Sequence, residues 1–386
     1  MSYNVNTLEQ LKRMPIFKMS LGSKELFHSN FLEYLWEEDR TTFIAMLNSL
    51  VGKDVLDQSI EYELAREKSH FDISLFHHEG PKSREIYDVV IENKLKSIPN
   101  REQLSAYEIK NENKSQNTKY ILLTLMEEFH DKKDIEKTWT VINYESLGSA
   151  ITKHFGERNT YIKDYCEFVK LMHSLQKDIL ICDAGSETLW PDKPLAYFRN
   201  ARLHDLYIKL RGLQFLEILK QEINNSWDTK YVKDGGDVIR KESLQFNIFL
   251  NFNIHQGCGQ VAVFIYFGEE QIFEIVIQGN QYRHCINYKR KSDGKYESFD
   301  NDNTISKAKI WEVVNNDTFM RSFIRSGGFY EKYKSKKEYC GYGADQIYRY
   351  RTIDSDESVN SLIVNIVSDV ESIMNQYGVS RKSRIE

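Results

Sequence analysis

The chain has 386 residues, with 52 Lys and Arg against 57 Asp and Glu, a formal net charge of -5. That balance excludes a histone-like or ribosomal-type basic protein, so any nucleic-acid contact must use local patches. Apolar residues at 41% and aromatics at 13%, including 23 Tyr and 21 Phe, supply enough material for packed cores and exclude wholesale disorder.

Five cysteines (Cys166, Cys182, Cys258, Cys285 and Cys340) are scattered, never spaced as CxxC, and suit a reducing compartment. The N-terminus has no apolar signal-peptide core. The longest apolar runs, Tyr120–Met126 and Val261–Phe267, are strand-sized. The expectation is a cytoplasmic protein without membrane contact.

Helices come first. In Lys24–Glu37, the residues Glu25, His28, Leu32 and Leu35 form one helical stripe. Asp39–Leu50 follows, with Asp39 as its N-cap and Phe43, Met46, Leu47 and Leu50 on the buried face. The period then changes. Ser59–Leu64, Phe71–Phe76 and Ile86–Leu95 read as strands, with His77–Arg84 as a loop holding surface histidines at His77 and His78. A short helix, Asn100–Lys110, and strands at Lys119–Leu125 and Thr138–Asn143 come next, and the amphipathic helix Tyr161–Leu175 closes this half. The order predicts an α/β fold with a mixed sheet.

Residues 181–195, with Gly185, Pro191 and Pro194, read as a linker between a domain over 1–180 and a second over 196–386. Beyond it, Tyr197–Ile223 reads as one long helix. Leu244–Ile254 alternates as a strand with one wet face, and Gln260–Phe267, Gln271–Gln278 and Tyr282–Tyr288 continue an antiparallel meander. A last helix, Glu357–Tyr377, carries an apolar face and ends at Gly378 as its C-cap. This second half is α+β.

The chemistry concentrates on the third strand. Glu92 and Lys94 leave the same face of a strand that is otherwise Ile86, Val89, Val90, Ile91 and Leu95. Burying either charge alone is costly, so they are paired, bound to a metal or sited in a wet cleft. Asp72 lies among apolar neighbours on the preceding strand. If the two strands pair, Asp72 and Glu92 converge on one divalent cation, whose preferred ligands are such carboxylates with water and phosphate oxygens. Lys94 then holds the attacking water or offsets charge on the phosphorane.

Glu-x-Lys alone carries little information, since Glu108–Lys110 and Glu112–Lys114 repeat it in polar surroundings. The plain alternative is a salt bridge on a wet sheet face. On the next helix Gln103 and Tyr107 stand one above the other at i, i+4 and can face the same site, or form an ordinary helix face. Glu25 and His28 suggest a site wall or a hydrogen-bonded helix start, and Ser29 carries no signal.

ELFHSNFL, FDISLF, VVIENKLKS and QLSAY together resemble the PD-(D/E)xK nuclease superfamily, with the Q-x-x-x-Y helix similar to its RecB-like branch. The resemblance covers residues 24–175. It implies a restriction-endonuclease-like mixed-sheet core flanked by helices, and a Mg²⁺- or Mn²⁺-dependent nuclease acting on DNA in restriction, defence or repair. It implies metal ligands at Glu25, Asp72, Glu92 and the carbonyl of Asn93. Lys94 would be catalytic, with Gln103 and Tyr107 as the accessory pair. His28, on the same helical stripe as Glu25, is read from that place as a candidate nucleic-acid contact. Phe71 stands where the name-giving proline would be. A catalytically silent nuclease fold that binds nucleic acid or a protein, and a ribonuclease, are the alternatives, and a homodimer is one assembly the reading allows.

In the second half, Arg321–Arg351 holds eight basic residues against three acidic ones, interleaved with eight aromatics. Arg321, Arg325, Lys332, Lys334, Lys336 and Lys337 are the candidate nucleic-acid contacts. A solvated Tyr-rich surface is the alternative. A smaller cluster holds Arg283, Lys289, Arg290 and Lys291.

Overall fold

The computed structural model describes residues 5–23, 25–52, 55–80, 84–95, 97–99, 101–112, 117–126, 129, 132–227, 232–234, 246–255, 257–267, 270–291, 307–325, 339–342 and 346–376. The chain divides into two compact units, one of Met1–Leu180 with Phe198–Leu206, the other of Ile181–Tyr197 with Tyr207–Glu386.

The first unit opens with α1 (Val5–Arg13), α2 (Pro15–Ser23), α3 (Glu25–Glu38) and α4 (Arg40–Val51). Asp39 caps α4 by accepting the Thr42 N–H at 3.0 Å, and Gly52 ends it in the left-handed region at φ 69°. The sheet follows as β1 (Glu63–Arg66), β2 (Ile73–Glu79), β3 (Arg84–Lys94), α5 (Arg101–Glu112), β4 (Lys119–Thr124), α6 (Lys132–Ile135) and β5 (Trp139–Asn143). Helices α7 (Tyr144–Phe155) and α8 (Thr160–Ile179) complete the unit, capped by Asn143 and Asn159.

The strands lie in the order β1-β2-β3-β4-β5. β2 pairs antiparallel with β1 and β3, whereas β3–β4 and β4–β5 are parallel, so the sheet is mixed as expected. Parallel pairing demands a crossover between neighbours, which α5 and α6 provide. β3 is central, and its residues from Val89 to Lys94 are all buried.

Three local readings change. His77 and His78 belong to β2, not to a loop. His77 Nδ1 lies 2.6 Å from Asp88 and His78 Nε2 lies 3.3 Å from Glu63. The first strand is Glu63–Arg66, later than expected, and α7 was not foreseen. Three of the four described non-glycine residues with positive φ, Glu67, Ser69 and His70, crowd into the turn before Asp72.

The second unit holds most of α9 (Asp192–Asn200) and α10 (His204–Ser226), then β6 (Val232–Asp234), β7 (Phe246–His255), β8 (Cys258–Phe267), β9 (Glu270–Gln278) and β10 (Gln281–Lys291). α11 (Lys307–Asn316), α12 (Thr318–Arg325), β11 (Cys340–Tyr342), β12 (Gln346–Thr352) and α13 (Val359–Gln376) follow. The sheet order is β11-β12-β10-β9-β8-β7-β6; β6–β7 is parallel and the rest antiparallel. The meander is therefore present, and the alternation on β7 holds: Ile248, Leu250 and Phe252 are buried while Asn251 and Asn253 are exposed.

The expected single helix over 197–223 is two. Both Ala201 N and Leu203 N bond to Phe198 O at 3.2 and 2.9 Å, and Arg202 takes φ 58° between them. No Gly or Pro marks that break. Residues 181–195 are tied into the second unit. Buried Arg211 on α10 donates to Leu189 O and Thr188 O, each at 2.7 Å, and pairs with Glu187 at 3.1 Å. Leu244 and Gly378 lie outside the described residues.

Candidate active site

β2 and β3 pair with Ile73 opposite Ile91, so the next step of the antiparallel ladder sets Asp72 across from Glu92. Asp72 sits just before β2, where its backbone has left the ladder. Its side chain replaces a rung, with Oδ2 accepting the Asn93 N–H at 2.7 Å. Burial pushes the Asp72 carboxyl up and the Glu25 and Glu67 charges add to that, against the Asn93 hydrogen bond and Lys94, which pull it down.

Glu92 is 2% exposed. Its Oε1 lies 2.9 Å from Lys94 Nζ and accepts from Gln103 Nε2 at 3.3 Å. Its Oε2 is buried with no hydrogen-bond partner. Burial, then the charge of Asp72, pushes the Glu92 carboxyl up to about 7, partly offset by Lys94. Burial acts to lower Lys94, yet the charge and hydrogen bond of Glu92, with Glu25 and Asp72, carry it above its ordinary value. Lys94 is thus an ammonium at neutral pH.

Helix α5 brings the accessory pair to the same place. Gln103 Nε2 also donates to Tyr107 Oη at 2.8 Å, which links Tyr107 to Glu92 through one amide. Burial raises the Tyr107 phenol. Phe71, at the position of the missing proline, is 1% exposed and packs edge-on against Tyr107 at 5.5 Å. Glu25 accepts the Ser97 N–H at 3.2 Å and the Ser97 hydroxyl through the same Oε1.

Thus Asp72 before β2, Glu92 and Lys94 at the end of β3, and Gln103 and Tyr107 on α5 form one linked set, with Glu25 at the start of α3 acting on its charges. His28 does not join them as a surface contact. Its ring is 0% exposed, its Nδ1 lies 2.8 Å from Tyr165 Oη, and Tyr144 and Phe168 pack on it. A side chain so enclosed packs the interior and cannot touch nucleic acid. Asn93 turns its side chain to the opposite face from Glu92, bonding Ser29 Oγ at 2.7 Å. Ser29, Ser97 and Tyr144 escaped the sequence reading because a lone Ser or Tyr has no distinguishing pattern.

In the second unit, Arg321 is exposed, while Arg325 bonds Asn315 at 3.1 Å and stacks over Trp311 at 5.6 Å. Lys332, Lys334, Lys336 and Lys337 lie outside the described residues. Arg349 is buried over Trp311, and Arg351 makes two 2.6 Å bonds to Glu357, which takes both out of the basic run. Arg283 lies over Tyr348, while the side chains of Lys289, Arg290 and Lys291 are outside the described set.

Residues 16–170 match the family model of the PD-(D/E)XK nuclease superfamily, so the resemblance seen in the motifs is carried by the N-terminal half of the chain. Neither a curated protein nor a solved structure matches the chain. Among the described residues no helix is long and apolar enough to cross a membrane.

Among the described residues no group of three or more His, Cys, Asp or Glu side chains is drawn together as a metal cage. The donor set nevertheless suits a hard cation. Asp72 and Glu92 supply two carboxylates, and the partnerless Oε2 of Glu92 is the kind of buried oxygen that a cation satisfies. Mg²⁺ is held by one or two carboxylates plus water and phosphate oxygens, so two protein carboxylates suffice.

Proposed function

We propose that the N-terminal unit hydrolyses phosphodiester bonds of DNA, with Mg²⁺ or Mn²⁺ held by Asp72, Glu92 and the Asn93 carbonyl, and with Glu25 beside them. The observation that carries this reading is the buried, partnerless Oε2 of Glu92 beside a charged Lys94. A bound divalent ion would lower the pKa of a water and offset charge building on the phosphate.

The chain's own residues do the rest. Lys94, kept protonated by Glu92, orients the attacking water and faces the negative charge that builds on phosphorus. Water adds in line with the leaving oxygen and gives up a proton to solvent, the P–O bond breaks, the leaving oxygen takes a proton from solvent, and no bond to the protein forms. Gln103 holds Glu92 Oε1 and Tyr107 Oη together, so the carboxylate is presented in one orientation. Tyr107, with its phenol kept neutral, can donate a hydrogen bond to a phosphate oxygen.

The test is cleavage of plasmid DNA with Mg²⁺ or Mn²⁺ by the full chain, beside Asp72→Ala and Lys94→Ala. Cleavage by wild type that both substitutions slow by about 100-fold or more is the expected result. Cleavage by Lys94→Ala at the wild-type rate removes the role given to it. No cleavage under any divalent ion supports a binding module instead, and cleavage confined to RNA in the parallel assay moves the substrate class.

A further inference from the structure

The end of β3 is fastened to α3 at two points. Asn93 Nδ2 donates to Ser29 Oγ at 2.7 Å, and Ser97 donates its N–H, at 3.2 Å, and its hydroxyl to Glu25 Oε1. Glu25 and Ser29 are four residues apart on a helix, hence on one face and about 6 Å apart along the axis. Ser29 and Asn93 are both 0% exposed, and the Tyr144 hydroxyl donates to Asn93 Oδ1 at 3.4 Å. A buried amide held on both its oxygen and its nitrogen has no freedom to turn.

The location gives these bonds their meaning. Asn93 lies between Glu92 and Lys94, and its side chain points to the opposite face, so it cannot face the phosphate that those two would face. Glu side chains lose much rotamer freedom on being fixed, and Ser97 supplies that fixation through two donors on one oxygen. We infer that Ser29, Asn93 and Ser97 are positioning residues that clamp α3 on the end of β3, setting Glu25 against Glu92 and Lys94 so that divalent metal is bound tightly. The inference rests on the nuclease reading of the same site.

The experiment uses the full-length chain and three variants: Ser29→Ala, Ser97→Ala and Ser97→Thr. Mn²⁺ affinity is titrated calorimetrically without nucleic acid, amide exchange of the peptide spanning 92–97 is followed by mass spectrometry, and cleavage is resolved into kcat and KM. Each alanine variant should weaken Mn²⁺ binding by about tenfold. Exchange over 92–97 should quicken by about fivefold, the worth of one lost hydrogen bond. At limiting Mn²⁺, kcat should fall with the KM for DNA unchanged. Ser97→Thr keeps both donors and should match wild type.

A merely structural serine lowers thermal stability without moving Mn²⁺ affinity, and that result overturns the clamp. Equal losses in Ser97→Ala and Ser97→Thr, or unchanged exchange over 92–97, overturn it as well. Wild type that binds Mn²⁺ but cleaves neither DNA nor RNA overturns the nuclease reading, while the titration and exchange still decide the clamp. Wild type that binds no Mn²⁺ overturns both.

Discussion

Glu92 and Lys94 stand two residues apart on β3 with Oε1 and Nζ 2.9 Å apart, Glu92 2% and Lys94 7% exposed. The pair is incomplete. The ammonium satisfies one carboxylate oxygen and leaves Oε2 buried without a partner, and Asp72 repels the same carboxylate. A cation at that oxygen relieves both defects, and pH should then report its binding.

Glu92 titrates near pH 7, pushed up by burial and by Asp72, so below that pH a metal must displace its proton. Mn²⁺ affinity should therefore rise by about tenfold for each unit of pH from about 5.5 to 7, then level off. Calorimetric titration across that range measures it, and an affinity independent of pH contradicts the assignment of Glu92 as ligand.

The same carboxylate gives a stability prediction for the metal-free chain. A folded pKa raised from 4.5 to about 7 favours folding fully below 4.5, and that contribution is lost as pH climbs through 7. From about pH 5 to pH 8 wild type should lose roughly 2–3 kcal/mol relative to Glu92→Gln, whatever their gap at pH 5. Urea unfolding of both at several pH values reads the difference, which a constant gap would refute.

Removing the cation or its neighbour should separate their roles. Lys94→Ala takes away the charge that faces the phosphate and should lower kcat by about 10²–10³-fold. Gln103→Ala only releases Glu92 and Tyr107 from each other, and should cost about 10–100-fold. A single-turnover assay at saturating Mn²⁺ ranks them, and the reverse order would exchange the two roles.

The turn before Asp72 holds Glu67, Ser69 and His70 at φ 54°, 59° and 72°, where side-chain-bearing residues are strained. His70 is exposed, so only its backbone is at issue. His70→Gly should raise stability by about 0.5 kcal/mol and His70→Val should lower it by about 1–2 kcal/mol. Denaturant midpoints for the pair check the prediction, and a loss in both would show that the imidazole itself is needed.

In the second unit one carboxylate oxygen serves two buried groups. Asp369 Oδ2 accepts from Tyr282 Oη at 2.5 Å and lies 2.7 Å from His284 Nε2. Asp369→Ala deprives both of this partner at once and should cost about 2–4 kcal/mol, read from urea unfolding. Val364→Ala, at a 58% exposed position of the same helix, is the control and should change little.

The site residues were legible because their chemistry conflicts with their surroundings. Asp72, Glu92 and Lys94 are charges in apolar strands, and Gln103 and Tyr107 keep a helical spacing. His28 shows the limit. Its place on the stripe with Leu32 and Leu35 announced a shared face, but its partner Tyr165 lies 137 residues away, and no local pattern records that bond. The break between α9 and α10 was equally silent, since Arg202 adopts a left-handed backbone without glycine. The ends of strands moved for a related reason. A side chain such as Asp72 can fill a rung of the ladder, so the strand begins later than its apolar run.

Both sheets taper. β3 has 11 residues and β7 and β8 have 10, but the outermost described strands are short: β1 has 4, β5 has 5, and β6 and β11 have 3 each. A short border strand offers few free backbone donors and acceptors to an incoming chain. Strand-by-strand association between copies is thereby discouraged at the borders of the first sheet, where β1 and β5 are both described in full.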